Sequence, residues 1–266
     1  MTAGGSTLAE ADLERRFGGL RRLYGDAGYA AVRTARVAVV GLGGVGSWAV
    51  EALARSGVAQ LVLIDMDHVA ESNINRQVQA TGRSTGQHKG QALRERVADI
   101  HPGCAVQVVD DFVTPENWPA LLPVGVDVLI DACDQTAAKL ALAAWGLRQG
   151  VPVVCVGAAG GKRLAQRVEV EDLAEATHDP LLASLRQRLR KLGVAPRQGR
   201  VGLRCVFSRE PVALPDAACD AVDGSLNCHG YGSTVTVTAT FGLVAAGEAL
   251  AQVQQQAQQE SSKAVL

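Results

Sequence analysis

Six polar side chains suited to phosphate chemistry fall between positions 65 and 89: Asp65, Asp67, Asn73, Arg76, Gln77 and Lys89. They belong to three short runs, Asp65-Met66-Asp67, Asn73-Ile74-Asn75-Arg76-Gln77 and Gly86-Gln87-His88-Lys89-Gly90. A guanidinium and an ammonium in one connection suit a triphosphate whose charge must be neutralised while a group is transferred. Hydride transfer to a nicotinamide has little use for such a pair. A further carboxylate, Asp134, follows the strand-like run Val126 to Ala132. An aspartate there commonly caps the next helix, here one starting near Thr136. A carboxylate at such an edge can also hold a metal beside phosphates.

These residues need elements to position them. Val37-Ala38-Val39-Val40 reads as a buried parallel strand. Gly41-Leu42-Gly43-Gly44-Val45-Gly46-Ser47 follows, fitting G-x-G-x-x-G, then a helical segment from Trp48 to Arg55. Gly41, Gly43, Gly44 and Gly46 let backbone N–H groups close on phosphate oxygens at a helix N-terminus. A second strand, Gln60 to Ile64, ends on Asp65, about twenty residues past the last glycine, where a nucleotide-binding unit places its ribose acid. The glycine pattern alone is weak; the strand before, the helix after and the acid on schedule make it specific.

Further on, the helix from Lys89 to Ile100 stops at His101-Pro102-Gly103, and Ala105 to Val109 is a strand. Thr114 caps a short helix with Pro115 at its first position. Val126 to Ala132 is a buried strand, Gln135 to Arg148 a helix and Pro152 to Val156 a strand. Lys162 to Val170 forms an antiparallel strand that Glu171-Asp172-Leu173 ends. His178-Asp179-Pro180 opens a basic helix, Leu181 to Leu192, with Leu181, Leu182, Leu185, Leu189 and Leu192 on its apolar side. Leu203 to Ser208 is a strand, and Glu210 to Asn227 has no period. From Val235 to Phe241 the alternation is strand-like, whereas Phe241 to Leu250 fits a helix. The fold class is α/β: a Rossmann-like core with a mostly parallel sheet, extended by antiparallel C-terminal strands. A single domain is expected over 1–266, its nucleotide-binding core at about 33–160 and the substrate elements at about 161–266.

Composition sets outer limits. With 266 residues, 47% of them hydrophobic, the chain can bury one α/β core. A net charge of −1 gives no global attraction for nucleic acid, so any RNA contact needs a local patch. Cys104, Cys133, Cys155, Cys205, Cys219 and Cys228 include no C-x-x-C pair, which argues against a zinc knuckle and for a reduced, cytoplasmic setting. The N-terminus carries no apolar signal region. Ser225 to Gly247 lacks formal charge, but its strongly apolar part is shorter than the ~20 residues a membrane span needs, so it reads as a core element.

At Asp65-Met66-Asp67, Asn73 to Gln77 and Lys89 the chain resembles the adenylating proteins of the ubiquitin-activating superfamily, the group of the molybdopterin- and thiamine-pathway activators. Three stretches narrow the resemblance: Arg16-Phe-Gly-Gly to Gly25, Asp179-Pro-Leu-Leu-Ala to Lys191, and Cys205-Val-Phe-Ser208. Together they look like the bacterial branch that dehydrates N6-threonylcarbamoyladenosine in tRNA, a branch linked to a cysteine desulfurase and sulfur-acceptor system. One departure is Gly161-Lys162-Arg163-Leu164-Ala165, where that branch more often has Asp-Pro-Thr.

The resemblance implies an ATP-dependent adenylating enzyme acting on modified tRNA. Arg76 and Lys89 hold phosphates, Asp65 the ribose, Asp67 is a further nucleotide-binding residue, and Asn73 with Gln77 forms the polar frame. Asp134 takes Mg2+, and a C-terminal helix closes the fold. It also implies a homodimer in which an N-terminal arginine reaches the partner's ATP. Arg16-Phe17-Gly18-Gly19 lacks the second arginine of that motif, which leaves Arg22 or Arg21. The alternative from the same ATP site is adenylation of the C-terminal glycine of a ubiquitin-like sulfur carrier. The basic helix stands between a solvated face and an RNA contact. Cys228 beside His229 stands between a loop thiol and a nucleophile.

Overall fold

The computed structural model describes residues 12–212 and 231–264. Its helices are α1 (Leu13–Phe17), α2 (Gly19–Thr34), α3 (Gly46–Arg55), α4 (Lys89–Ile100), α5 (Thr136–Gln149), α6 (Pro180–Lys191) and α7 (Val235–Ala264). The strands are β1 (Arg36–Val40), β2 (Gln60–Ile64), β3 (Ala105–Val109), β4 (Val128–Asp131), β5 (Val153–Val156), β6 (Val168–Asp172) and β7 (Arg204–Ser208). They form one sheet in the order β3-β2-β1-β4-β5-β7-β6, parallel throughout except for β6 against β7.

The apolar residues of β1, β2 and β4 are buried on both faces, as the helices on either side require. One face packs against α2, α3, α4 and α7 around Leu53, Leu63, Leu93 and Phe241. The other packs against α5 and α6 around Leu129, Leu142, Leu185 and Phe207. The chain crosses from β3 back past β1 to β4, so the order reverses between β1 and β4, and a crevice opens at their carboxyl ends.

Four expectations change. The segment after Thr114 is a set of turns, not a helix. Thr114 and Asn117 exchange the capping bonds, but Pro119 has no N–H with which to continue a helix. Pairing in β6 starts only at Val168, opposite Ser208, and runs through Asp172. The preceding N–H groups of Arg163 and Leu164 donate instead to the Glu210 carboxylate. Leu192 follows α6 and is 54% exposed, so it lies off the apolar face.

The fourth change concerns the ambiguous stretch, which is helical from Val235 on. Val237, Phe241, Ala245, Ala249 and Val253, spaced at i+4, are buried against the core. The alternation of Val and Thr at its start is overridden by this longer apolar face. The stretch Val235–Glu260 of α7 is long and apolar enough to cross a membrane by length and composition alone. Here that helix lies against α3, α2 and the sheet.

Candidate active site

A cleft of about 340 Å³ opens at the switch point. Its lining includes Gly41 and Gly43 after β1, Asp65 and Asp67 after β2, Asp111 to Val113 after β3, Cys133 to Gln135 after β4, and Lys89. The turn from β1 into α3 needs glycine at two positions. Gly41 has φ +85°, and a Cβ there would stand 2.9 Å from the Ala132 carbonyl carbon. A Cβ on Gly46 would lie 1.8 Å from the Gly41 oxygen. Gly43, by contrast, faces open space, with the Gln77 amide nitrogen 4.0 Å from where its Cβ would be.

Asp65 fixes this loop. Its carboxylate accepts the Leu42 N–H at 2.6 Å and the Asp67 N–H at 2.8 Å, one on each oxygen. Each oxygen keeps a second acceptor position, and Asp65 lines the cleft. Gln79 holds the loop from the other side: its amide donates at 3.0 Å to both the Leu42 carbonyl and the Gln77 side-chain oxygen. That contact fixes which end of Gln77 faces Gly43. The Lys89 ammonium, on a residue only 4% exposed, donates to Asp67 at 2.6 Å. It is thus held at the cleft wall by a half-exposed carboxylate.

Asp134 is exposed, lines the cleft and makes no hydrogen bond or ion pair with the described residues. The N-cap of α5 is Gln135, without a side-chain capping bond, so the capping role considered for Asp134 does not occur. Behind it lies a buried cluster that sequence reasoning missed. Asp131 and Lys139 are fully buried and paired at 2.8 Å, and Lys139 also donates to the Val156 carbonyl at 2.9 Å. Burial opposes the ammonium charge, but the adjacent Asp131 prevails and holds Lys139 above the ordinary lysine range. The other Asp131 oxygen accepts the Cys133 thiol at 2.9 Å and the Cys133 N–H at 3.2 Å. Burial first, then Asp131, pushes the Cys133 thiol well up, so it is no nucleophile at neutral pH. The available signal was a lysine on the apolar face of α5, between Ala138 and Leu142.

Other expected residues do not line the cleft. Arg76 turns its guanidinium to the Ser72 carbonyl at 2.8 Å and the Asn75 side chain at 2.9 Å, while its stem lies beside Gly44. Asn73 is buried and accepts the Ala70 N–H at 3.0 Å, shaping the one-turn helix at Glu71–Asn73. Gly44 and Gly46 carry the turn itself. The N-terminal arginines separate clearly. Arg16 donates to the carbonyls of Asp99 and Ile100, and Arg21 is paired with Glu14 and Asp26. Arg22 is exposed on α2 and unpaired among the described residues. Cys228 and His229 lie outside the described residues.

In α6, Arg186 is not a free surface cation as its sequence position suggested. It donates to the carbonyls of Leu173 and Ala176 at 2.9 and 2.8 Å, tying the β6 exit to the helix. Asp179 caps α6 through the Leu182 N–H and also takes the Ala158 N–H at 2.8 Å, which fixes the start of the helix beside the β5 exit.

The model of the ThiF family matches residues 16–266. The chain is 43% identical over 247 residues to tRNA threonylcarbamoyladenosine dehydratase of Escherichia coli, covering 89% of this chain and 92% of that protein. It is 36% identical to the Bacillus subtilis protein of the same name over 191 residues, 71% of this chain and 73% of the other. The E. coli dehydratase solved in complex with ATP superimposes with a TM-score of 0.84 at 42% identity, covering 94% of this chain and 98% of that one.

Proposed function

This chain belongs to the ThiF family, and from that premise we propose that it dehydrates N6-threonylcarbamoyladenosine in tRNA at the expense of ATP. The observation that carries this reading is the meeting of the glycine loop, Asp65, Lys89 and the unpaired Asp134 in one cleft. It occurs in a chain aligned with such dehydratases over most of its length.

Asp65, with an acceptor position left on each oxygen, receives the ribose hydroxyls. The N–H groups of the glycine loop and the α3 N-terminus receive phosphates. Lys89 exchanges Asp67 for a phosphate oxygen, and Arg76 swings from its own segment over Gly44 to do the same. Among the described residues no three of His, Cys, Asp and Glu form a metal cage. A Mg2+ that arrives on a nucleotide needs only one or two protein carboxylates, and the free Asp134 fits that need. When bound, such an ion offsets phosphate charge in the transition state.

A threonyl carboxylate oxygen bonds to the α-phosphorus of ATP, and the bond to pyrophosphate breaks, leaving an acyl-adenylate. A nitrogen or oxygen of the neighbouring carbamoyl group then bonds to the activated carbonyl carbon. AMP leaves, the attacking group's proton passes to solvent and the ring closes. The balance is loss of water from the modified base, with ATP converted to AMP and pyrophosphate. The protonated Cys133 offers no general base, and proximity of the two reacting groups within one side chain supplies the rate.

Arg22 completes the site of a second copy in a homodimer, and Arg21, held by Glu14 and Asp26, serves the shape of its own chain. The free thiols Cys104, Cys133, Cys155 and Cys205 suit the reducing cytoplasm. The reading is tested by pyrophosphate release with ATP and purified tRNA. Release should require the threonylcarbamoyl modification and yield one AMP for each tRNA converted. Release driven by a ubiquitin-like protein ending in glycine, with none on modified tRNA, would replace this reading with carrier-protein activation.

A further inference from the structure

Charge in this chain is sharply segregated. Between Pro180 and Arg209 lie Arg186, Arg188, Arg190, Lys191, Arg197, Arg200, Arg204 and Arg209, with no Asp or Glu among them. The whole chain has a net charge of −1, so the remainder carries −9. A cluster of eight cations in an otherwise acidic protein is a local field that the global balance conceals.

The structure divides these cations by task. Arg186 is bound to the Leu173 and Ala176 carbonyls, Arg204 to Glu248 and Arg209 to Glu169. Arg190 reaches the Gly199 carbonyl at 3.5 Å. Arg188, Lys191 and Arg197 are exposed and make no hydrogen bond or ion pair with the described residues. Arg200 is 78% exposed in its side chain, with only a long 3.9 Å contact to Asp172. The connection that displays them is fixed: the buried Asp172 carboxylate accepts the N–H groups of Val201 and Gly202, both at 2.8 Å. Arginines that brace the scaffold therefore stand beside cations left in solvent, with exposed Leu192 among them.

Position adds the second argument. The start of α6 is tied to Ala158 at the exit of β5, on the sheet edge where the cleft opens. The helix spans 12 residues, about 18 Å at 1.5 Å per residue, and delivers Arg188 and Lys191 to the opposite edge. A small nucleotide could not touch both places, whereas a polyanion entering the cleft by one residue could.

We propose that the exposed cations of the end of α6 and the α6–β7 connection form the tRNA backbone interface, one helix length from the catalytic cleft. The inference rests on the tRNA reading above and names the surface that reading lacks. Arg188, Lys191 and Arg197 position the phosphates, while the cleft selects the modified base.

The test is an Arg188→Gln/Lys191→Gln/Arg197→Gln variant, which leaves every bracing arginine in place. Binding of threonylcarbamoylated tRNA is measured against salt, with ATP binding and the urea midpoint as controls. Each lost phosphate contact lowers the slope of log K on log salt by ~0.7–0.9, so the triple variant should lose about 2 units of slope. The expected result also includes at least about a tenfold rise in KM for tRNA at low salt, with kcat at saturating tRNA and ATP affinity unchanged. The single variants should each remove a fraction of that slope, which separates the effect from misfolding. A wild-type slope and affinity in the folded triple variant would overturn the proposal and leave the patch to a protein partner or to solvent. Absence of pyrophosphate release by wild type on modified tRNA would instead sink the functional reading, independently of the variant.

Discussion

The Asp131–Lys139 pair gives a prediction whose size follows from its surroundings. Both side chains are fully buried, and Lys139 is the partner of one Asp131 oxygen while Cys133 occupies the other. Lys139→Met keeps most of the volume and strands the carboxylate. Removing one member of a buried pair costs about 3–5 kcal/mol, because the remaining charge has lost its compensation. With a urea slope of ~3 kcal/mol/M, the midpoint should fall by about 1 M or more. The double variant Asp131→Asn/Lys139→Met removes both charges and keeps an oxygen for Cys133. It should regain at least ~2 kcal/mol relative to the single variant.

The pH dependence has a definite sign. Because Lys139 is held above its ordinary value, its contribution is fully present below the unfolded lysine value of ~10.4 and is lost only as pH rises through the folded value. The wild-type pair is therefore intact from neutral to mildly alkaline pH. In Lys139→Met the isolated Asp131 can relieve its penalty by taking a proton, so the deficit should shrink between pH 8 and pH 5. Equilibrium urea unfolding at those two pH values is the assay. A loss under ~1 kcal/mol at pH 8, or no recovery in the double variant, would refute the reasoning.

Asp134→Asn should fold like wild type, since the side chain bonds to no described residue, yet lose pyrophosphate release by at least about a hundredfold as the metal-binding charge disappears; a rate within a few-fold of wild type would remove Asp134 from the metal role. Arg22→Ala should be inactive alone and regain part of its activity when paired with Asp134→Asn in verified heterodimers, whereas no recovery would mean that each chain completes its own site. His101 packs on Phe17 with ring centroids 4.7 Å apart and faces Arg33 at 3.0 Å. Burial, then Arg33 and Arg16, lowers its affinity for a proton, so the neutral form contributes stability above ~6.5 that is lost as pH falls through the depressed folded value. His101→Gln should flatten that acidic limb of a stability–pH curve, and an unchanged limb would assign it to other groups.

Much of the core was legible because its signals are local. β2 and β3 match their apolar runs residue for residue, and Asp65 falls where the βαβ spacing places it. The glycine loop and Asp134 reach the cleft because short turns at strand ends leave little freedom, whereas Lys89 is returned to it by the pairing of its connection, His68 with His88 and the Lys89 N–H with the Asp67 carbonyl. What escaped was long-range. The fate of Arg186 depends on carbonyls at the β6 exit, and the strand-like start of α7 was decided by packing on α3. Asp131 and Lys139 are eight positions apart, and only the strand-to-helix turn makes them partners. Gln79 carries no local signal in the sequence, yet it grips both the loop carbonyl and Gln77.

The seating of α7 bears on the order in which the molecule can be made. A Cβ on Gly242 would lie 2.4 Å from the Val45 carbonyl oxygen and 2.8 Å from the Trp48 side chain, so this late helix presses directly on the turn that follows the glycine loop. Thr238 lies against Gly44, and the Gly232 carbonyl accepts the Gly161 N–H at 3.0 Å. During synthesis from the N-terminus, the glycine loop emerges early, but the face of α3 around Ala49 and Leu53 stays uncovered until α7 has left the ribosome. Such sequence-distant closure is slow and leaves apolar surface exposed in the meantime. The nascent chain must therefore extend past α7 before its nucleotide loop has a rigid floor. Premature termination ahead of α7 would release a product with the residues for ATP but without the packing that holds them.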